Sequence, residues 1–197
     1  MTQVSLSQMV EKLAAAPALV SFPTDTVPAL SARPEHAELI YAAKQRSPDK
    51  PLILMGAAFA DLLPYVCGDD SEVSAWQNLA QQHWPGQLTL VLPAKSGLPS
   101  ALNPQNTGTL GIRVPNHPIA LNLLRRTGPL ATTSANLSGQ PPLISPDEIA
   151  RAFPDALVLS AKSFAMGAEA PISGLPSTVV KWTGSSWQIL RQGKVDL

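Results

Sequence analysis

The sequence predicts an α/β fold in which a mixed-direction sheet is flanked by helices. The 197 residues include 45% hydrophobic residues, which is enough to bury a substantial core in one domain. Short apolar runs typical of strands alternate along the chain with segments that begin with helix-capping residues. No repeat and no low-complexity linker interrupts this alternation, so we expect residues 1–197 to form a single domain.

In the first half of the chain, the helices are predicted from their starting residues. Ser5 and Gln8 have the spacing of a capping box and open a helix through about residue 15. Pro34 and Glu35 are typical of a first helical turn and open a helix that ends near Lys44. The other elements predicted here are a helix over 71–82 and strands over 18–20, 52–55 and 88–92.

The second half follows the same pattern. His117 precedes Pro118 as a cap residue would, and the helix that they open runs to about residue 126. Ser145 and Glu148 have the spacing of a capping box around a first-turn proline, which predicts a helix to about residue 153. The predicted strands are 109–114, 129–133, 178–182 and 187–191, and a turn at 184–186 joins the last two.

Charge is sparse and balanced over the whole chain, but it is unevenly distributed. Only 14% of residues are charged, with 14 Lys and Arg against 14 Asp and Glu, which disfavours nucleic-acid binding driven by global charge. No acidic residue lies between Glu72 and Asp147, so this segment biases its surroundings positive, as a triphosphate requires. Its cations are Lys95, Arg113, Arg125 and Arg126. Arg125 and Arg126 are equally consistent with solvated surface residues.

Cysteine content and hydropathy indicate the compartment. The single Cys67 excludes an intramolecular disulfide and a cysteine-based metal cluster. No basic N-terminal region precedes a long apolar stretch, and no run approaches the roughly 20 apolar residues that span a bilayer. We therefore expect a cytoplasmic protein without membrane contact.

Cations are concentrated where the second predicted helix ends. Lys44, Arg46 and Lys50 flank the break at residues 47–48, so all three can point toward one phosphate group. Favourable placement of cations at a helix C-terminus is an equal alternative for any one of them.

Polar side chains also follow two of the predicted strands. Arg113 ends an apolar strand, so its planar guanidinium must pair with a carboxylate or phosphate or reach solvent. A structural ion pair competes with a ligand here, although no acidic residue is near in sequence. Thr133, Ser134 and Asn136 offer two hydroxyls and an amide, in a pattern that is more often a helix cap or turn. Strand ends of this kind often meet in one ligand pocket, and these would form an anion site.

Hydrolase, Walker and metal-site motifs are absent from the sequence. The three histidines have no metal-ligand or catalytic-triad spacing, and no Gly-rich phosphate loop with Lys-Ser/Thr is present. Asp25 is the only carboxylate inside a polar motif. We expect no metal site formed by the protein, and any Mg²⁺ to be held mainly by phosphate oxygens and water.

The ordered set of motifs closely resembles the YrdC/Sua5 family over nearly the whole chain. Each motif is weak alone, but the order of all of them, with Lys-x-Arg and a distant Ser-x-Asn, is specific. The motifs are Pro23-Thr24-Asp25-Thr26, Lys44-Gln45-Arg46, Asp49-Lys50-Pro51-Leu52, Pro85-Gly86-Gln87-Leu88-Thr89, Gly111-Ile112-Arg113-Val114-Pro115, Thr133-Ser134-Ala135-Asn136, Pro176-Ser177-Thr178 and Ile189-Leu190-Arg191.

The resemblance implies a YrdC-like twisted mixed sheet with flanking helices around a concave, positively lined cleft. It also implies threonylcarbamoyl-AMP synthase activity, in which L-threonine, bicarbonate and ATP give threonylcarbamoyl-adenylate and pyrophosphate. Downstream transferase proteins would then move the threonylcarbamoyl group to tRNA, and direct tRNA binding by this chain is a weaker expectation.

The resemblance further implies a role for particular residues. The L-threonine site would comprise Thr26, Arg113, Thr133 and Ser177. The ATP site would comprise Arg46, Lys50, Thr109, Ala135 and Leu143 through their backbones, and Arg191. The signature residues that act in catalysis would be Lys44, Arg46, Ser134 and Asn136.

Two features depart from the family pattern and keep other functions open. Pro28-Ala29 replaces a Tyr-Gly pair that many relatives have, and Met55 stands where some members place a histidine. One alternative is a YrdC-like RNA- or ribosome-binding protein, which the zero net charge and few aromatic residues disfavour. The other is carbamoyl-adenylate chemistry on a different acceptor.

Overall fold

The computed structural model describes residues 3–47, 49–165 and 174–197. Ten strands of these residues form one sheet. The strands are β1 (Gln3–Val4), β2 (Val20–Phe22), β3 (Ala29–Ala32), β4 (Ile53–Met55), β5 (Leu88–Pro93), β6 (Thr109–Arg113), β7 (Leu130–Ser134), β8 (Leu157–Leu159), β9 (Thr178–Trp182) and β10 (Trp187–Arg191).

Strand direction in the sheet is mixed, as the sequence predicts. The spatial order is β1-β8-β2-β3-β7-β4-β6-β5-β9-β10. The pairs β1–β8, β8–β2, β4–β6 and β5–β9 are parallel, and the other neighbours are antiparallel. Three of these strands, β1, β3 and β8, were not predicted, although β3 lies between β2 and β7 near the middle of the sheet.

Seven α-helices pack around the sheet in the described part of the chain. None of them has the length and apolar character that crossing a membrane requires. The helices are α1 (Leu6–Ala15), α2 (Glu38–Lys44), α3 (Phe59–Leu62), α4 (Asp70–His83), α5 (Pro118–Thr127), α6 (Pro146–Ala152) and α7 (Ala161–Ala165).

The helix starts test the capping predictions. Ser5 and Gln8 form the predicted capping box of α1. The capping box predicted at Ser145 is wrong, because its side chain makes no capping hydrogen bond and α6 begins directly at the first-turn proline. The Asp69 side chain caps α4 by accepting hydrogen bonds from the backbone N–H groups of Ser71 and Glu72, which have no partners within the helix. The helix predicted from Pro34 is divided into a short 3₁₀ turn and α2.

The two faces of the sheet bury different clusters. On one face Leu54, Ile112 and Leu90 lie in register and join a large core that includes Trp76 of α4. On the other face α1 and α5 cover one end of the sheet, and their side chains pack with Phe22. Part of this second face is open and forms a cavity over the strands from β7 to β9.

Three tryptophans attach the β9–β10 hairpin to α4. The ring centroids of Trp76 and Trp182 are 6.5 Å apart with an edge-to-face arrangement, and those of Trp182 and Trp187 are 5.0 Å apart. Trp182 Nε1 also donates to Glu72 Oε1 at 2.8 Å. This tryptophan cluster fixes the hairpin from the side away from the cavity.

Candidate active site

The cavity has a volume of about 780 Å³. Its floor is a row of residues in register across five neighbouring strands. All of them face the cavity, because side chains alternate between the two faces of a strand. From β7 to β9 the row is Thr132, Ile53, Gly111, Val91 and Lys181.

Gly111 lies at the centre of this floor. A Cβ atom there would lie 3.0 Å from Ile53 Cγ2 and 3.6 Å from Thr89 Cγ2. Any side chain at Gly111 would therefore press on its neighbour and raise the floor. Glycine keeps the middle of the cavity deep enough for a ligand to approach the backbone.

Arg113, at the end of β6, lines the cavity although only 2% of it is exposed. Its Nη2 donates to Asp25 Oδ1 at 2.6 Å, its Nη1 to Thr26 Oγ1 at 2.9 Å, and its Nε to Gly86 O at 3.0 Å. The structural ion pair weighed from sequence is thus present, with a carboxylate 88 residues away. Within the described ranges these bonds use three of the five N–H groups, which leaves two for a ligand.

The charge around Arg113 is set mainly by Asp25. Burial lowers the pKa of Arg113, while the Asp25 carboxylate acts in the opposite direction and Arg191 lowers that pKa further. A guanidinium nevertheless stays protonated in proteins. Burial also lowers the pKa of His117, against the opposing effect of Asp25, which favours the neutral form of this imidazole.

A tight turn brings Thr26 to Arg113. Thr24 Oγ1 donates to Val27 O at 2.7 Å and accepts a hydrogen bond from Thr26 N at 3.1 Å. The hydroxyls of Thr24 and Thr26 are 3.0 Å apart. All three side chains of the Thr24-Asp25-Thr26 sequence are buried, which fixes the Thr26 hydroxyl beside the guanidinium.

Ser177 occupies the opposite wall and is held by two other residues of the cavity. Its Oγ lies 2.8 Å from Thr89 Oγ1, and Arg191 Nη2 donates to Ser177 O at 2.8 Å and to Ser177 Oγ at 3.3 Å. Gly193 allows this closeness, because a Cβ there would lie 2.4 Å from Pro176 O. The Arg191-x-Gly193 sequence thus packs the C-terminal strand onto Ser177.

Lys44 is buried under the loop that follows β7. Its Nζ donates to Ser134 O and, at 3.2 Å, to Asn136 Oδ1. The Ser134 hydroxyl donates to the same amide oxygen. Burial, with a smaller contribution from Arg46, lowers the pKa of Lys44 to about 7. Of these residues Ser134 and Arg46 line the cavity, so Lys44 and Asn136 support the wall from behind.

Arg46 and Lys50 belong to the loop after α2. Arg46 lines the cavity, and its guanidinium donates to Lys50 O at 2.9 Å and Pro51 O at 3.1 Å. Burial is the main cause that lowers the pKa of Arg46. The Lys50 side chain is exposed and is not part of the cavity wall, so in this conformation the two cations do not converge.

The remaining predicted residues divide into two groups. Thr133 and Thr109 line the cavity. Ala135 and Leu143 do not, and their backbones are bonded to the protein. Ala135 N donates to Pro28 O at 2.8 Å and Leu143 N donates to Ala135 O at 2.9 Å. Only their carbonyl oxygens keep acceptor capacity for a ligand.

Sequence reasoning did not assign Thr89, Lys181 or Asp25 to the site. The period of two along β5 and β9 places Thr89 and Lys181 on the face of Val91, and that signal is readable once one floor residue is known. The Asp25 contact with Arg113 depends on the tertiary fold. No cluster of three metal-binding side chains occurs in the described residues, and Asp25 is committed to Arg113.

Comparisons with known proteins agree on one family. The family model for Sua5, YciO and YrdC proteins, described as "Telomere recombination", matches residues 13–193. A threonylcarbamoyl-AMP synthase of Serratia proteamaculans is 39% identical over 150 residues, which are 74% of this chain and 78% of that protein. One of Bacillus subtilis is 43% identical over 130 residues, which are 62% of this chain.

A solved structure extends the likeness to the fold. The structure of P. abyssi Sua5 complexed with L-threonine superposes with a TM-score of 0.82 at 31% identity, over 95% of this chain. The chain spans 54% of that protein and 36% of the Bacillus subtilis protein.

Proposed function

The chain belongs to the Sua5, YciO and YrdC family, and from that premise we propose that it is a threonylcarbamoyl-AMP synthase. The reaction converts L-threonine, bicarbonate and ATP to threonylcarbamoyl-adenylate, pyrophosphate and water. The names of the relatives and the L-threonine held by the Sua5 neighbour support this assignment. We also propose that residues 1–197 form one domain, which the single continuous sheet supports.

The observation that carries the proposal is the Arg113 guanidinium at the cavity floor. Two of its N–H groups have no acceptor in the described residues, and a planar carboxylate accepts two such bonds at once. We assign the threonine carboxylate to Arg113. The hydroxyls of Thr26, Thr133 and Ser177 then surround the amino acid.

ATP occupies the rest of the cavity. Arg113 is paired with Asp25, and the described residues that line the cavity include three further cations and no Asp or Glu, which favours a polyphosphate. We assign phosphate contacts to Arg46 and Arg191, with Lys181 as a further cation from the floor, and we propose that this cavity is the positively lined cleft that the family resemblance implies. The remaining ATP contacts are proposed for Lys50, Thr109 and the carbonyls of Ala135 and Leu143.

The chemistry requires positioning and charge neutralisation. The threonine amine attacks the carbon of CO₂, which forms a carbamate with release of a proton, or the carbon of bicarbonate, which forms the same carbamate with release of water. A carbamate oxygen then attacks the α-phosphorus, and the bond to pyrophosphate breaks. The negative charge that moves onto the leaving group is stabilised by Arg46, by Ser134 at the end of β7 and by Asn136 in the loop that follows. Lys44 holds this segment in place. No side chain needs to form a covalent intermediate.

Mg²⁺ fits this cavity only as a companion of ATP. The cavity wall offers hydroxyls and cations, and the nearby Asp25 carboxylate is buried in its ion pair. A magnesium ion would be held by phosphate oxygens and water and would neutralise phosphate charge.

The product is a mixed anhydride whose threonylcarbamoyl group is ready for transfer. We propose that downstream transferase proteins deliver it to tRNA, and that the chain acts in the cytoplasm, where ATP and tRNA are found. The deep floor with a buried arginine fits a small zwitterion better than an RNA backbone.

The test is adenylate formation by the pure protein with ATP, bicarbonate and one amino acid at a time. Threonine supports turnover, serine less, and valine is rejected strongly, because valine leaves the buried hydroxyls unpaired. Equal turnover of valine and threonine would contradict the threonine assignment. Adenylate formation with a different amine in place of threonine would indicate another acceptor, and RNA binding without turnover would indicate the binding protein.

A further inference from the structure

Asp25 lies behind Arg113 as seen from the cavity. Arg113 lines the cavity and Asp25 does not, although the two side chains are joined at 2.6 Å. Only 4% of Asp25 is exposed, and Gln87 Nε2 donates to its backbone carbonyl at 2.8 Å, which fixes the turn. The carboxylate is therefore a fixed charge beside the guanidinium.

The second oxygen of Asp25 is unusual. Asp25 Oδ2 is buried and has no hydrogen-bond partner in the described part of the chain. Among the described residues, the Arg113 guanidinium is thus the one group that hydrogen-bonds to this carboxylate. Burial lowers the pKa of the nearby His117, whose Nδ1 is also buried without a partner among the described residues, and this disfavours a second positive charge beside Asp25.

The reaction presents two kinds of anion to Arg113. Threonine brings a carboxylate on a molecule of zero net charge, whereas ATP and pyrophosphate bring several negative charges. An arginine without a counter-charge attracts phosphate strongly. An arginine already neutralised at 2.6 Å keeps its two remaining N–H groups for a carboxylate but loses most of its attraction for net charge.

We propose that Asp25 determines the specificity of this subsite by acting through Arg113. Because of the Asp25 charge, Arg113 selects ligands by planar carboxylate geometry and not by net negative charge. The subsite therefore accepts the zwitterion and excludes phosphate and pyrophosphate. This inference rests on the proposed function, because it takes Arg113 as the threonine contact. Asp25 itself touches no substrate.

The experiment uses inorganic phosphate as the probe. Formation of the adenylate is measured against threonine concentration, at saturating ATP, with and without phosphate. In the unmodified protein phosphate raises the threonine KM little. In Asp25→Asn the inhibition constant of phosphate competing with threonine falls tenfold or more, since the unpaired Arg113 attracts phosphate.

Asp25→Glu restores the charge, so resistance to phosphate returns even if the threonine KM stays raised. Asp155→Asn, which removes an exposed acid far from the cavity, is the matched control and leaves the inhibition unchanged. A merely structural ion pair would lower the melting temperature of Asp25→Asn without creating competition between phosphate and threonine, and that result would overturn the proposal.

A measurement on the unmodified protein covers the case in which Asp25→Asn does not fold. Strong competition of phosphate with threonine in calorimetric titrations of that protein would also overturn the proposal, whereas weak competition supports it. An unmodified protein that makes no adenylate with threonine would instead remove the proposed function on which this inference rests.

Discussion

Replacing Arg113 with lysine keeps the charge and removes the geometry of the guanidinium. Arg113 reaches Asp25, Thr26 and Gly86 from three different nitrogens. A lysine presents all its donors from one atom, so it can pair with Asp25 while Thr26 or Gly86 loses its donor. One buried acceptor without its donor costs about 1–3 kcal/mol, which corresponds to a melting temperature roughly 2–12 °C lower in a chain of this size.

The functional effect of Arg113→Lys is larger on threonine than on ATP. The two-point contact with the carboxylate is lost, so we expect the threonine KM to rise at least tenfold, which is about 1.4 kcal/mol. Nucleotide affinity changes little, because its contacts are assigned elsewhere in the cavity.

The assay compares threonine-dependent adenylate formation with direct ATP titration. Arg125→Lys, at an exposed position of α5, is the matched control and leaves both quantities unchanged. A normal threonine KM in a folded Arg113→Lys protein would refute the assignment of the carboxylate to this guanidinium.

Three further predictions follow from the contacts around the cavity. The pKa of Lys44 is lowered to about 7 in the folded protein. Above pH 7 the unfolded chain therefore carries a proton on Lys44 that the folded chain has lost. Unfolding free energy therefore rises between pH 7 and 9 by about 2 kcal/mol more in the unmodified protein than in Lys44→Met, which urea titrations at both pH values measure. An equal change of unfolding free energy in both proteins would show that the pKa of Lys44 is not lowered. Gly193→Ala pushes the C-terminal strand off Ser177, lowers the unfolding free energy by about 1–3 kcal/mol and weakens ATP binding in calorimetry; an unchanged protein would contradict the close contact. Thr89→Val removes the hydrogen bond to Ser177, so steady-state kinetics give a threonine KM about two- to tenfold higher, and the unfolding free energy falls by about 1 kcal/mol; an unaltered KM would show that this bond does not position Ser177.

The sequence predicts the strands that have apolar alternation and misses those without it. Six of the seven predicted strands are reproduced to within one residue at each end, among them β5 and β9. β3 reads Ala-Leu-Ser-Ala, with no β-branched residue, and it has no polar alternation because both of its faces are buried. Its strand conformation comes from pairing with β2 and β7, one of them about 100 residues away. β1 and β8 are too short for any periodic signal.

The sequence also predicts only part of the candidate site. Motif residues such as Thr26, Arg113 and Ser177 do line one cavity, because strand ends and the turns beside them meet over the sheet. The Asp25–Arg113 pair was not predicted, since contacts over such separations are set by the packing of loops. Burial of Lys44 was also not predicted, because a lysine at a helix end is normally solvated.

The tryptophan cluster provides an intrinsic spectroscopic probe of the β9–β10 hairpin. The hairpin that carries Lys181 and Arg191 into the cavity rests on Trp76 through Trp182, so any displacement of the hairpin by a bound ligand changes the stacking of these indoles. Indole emission and near-ultraviolet dichroism then report occupancy without a label. Trp84 lies apart, 6.1 Å from Phe59, and a Trp84→Phe variant removes its separate emission. Titrations of this kind read binding even when no turnover occurs.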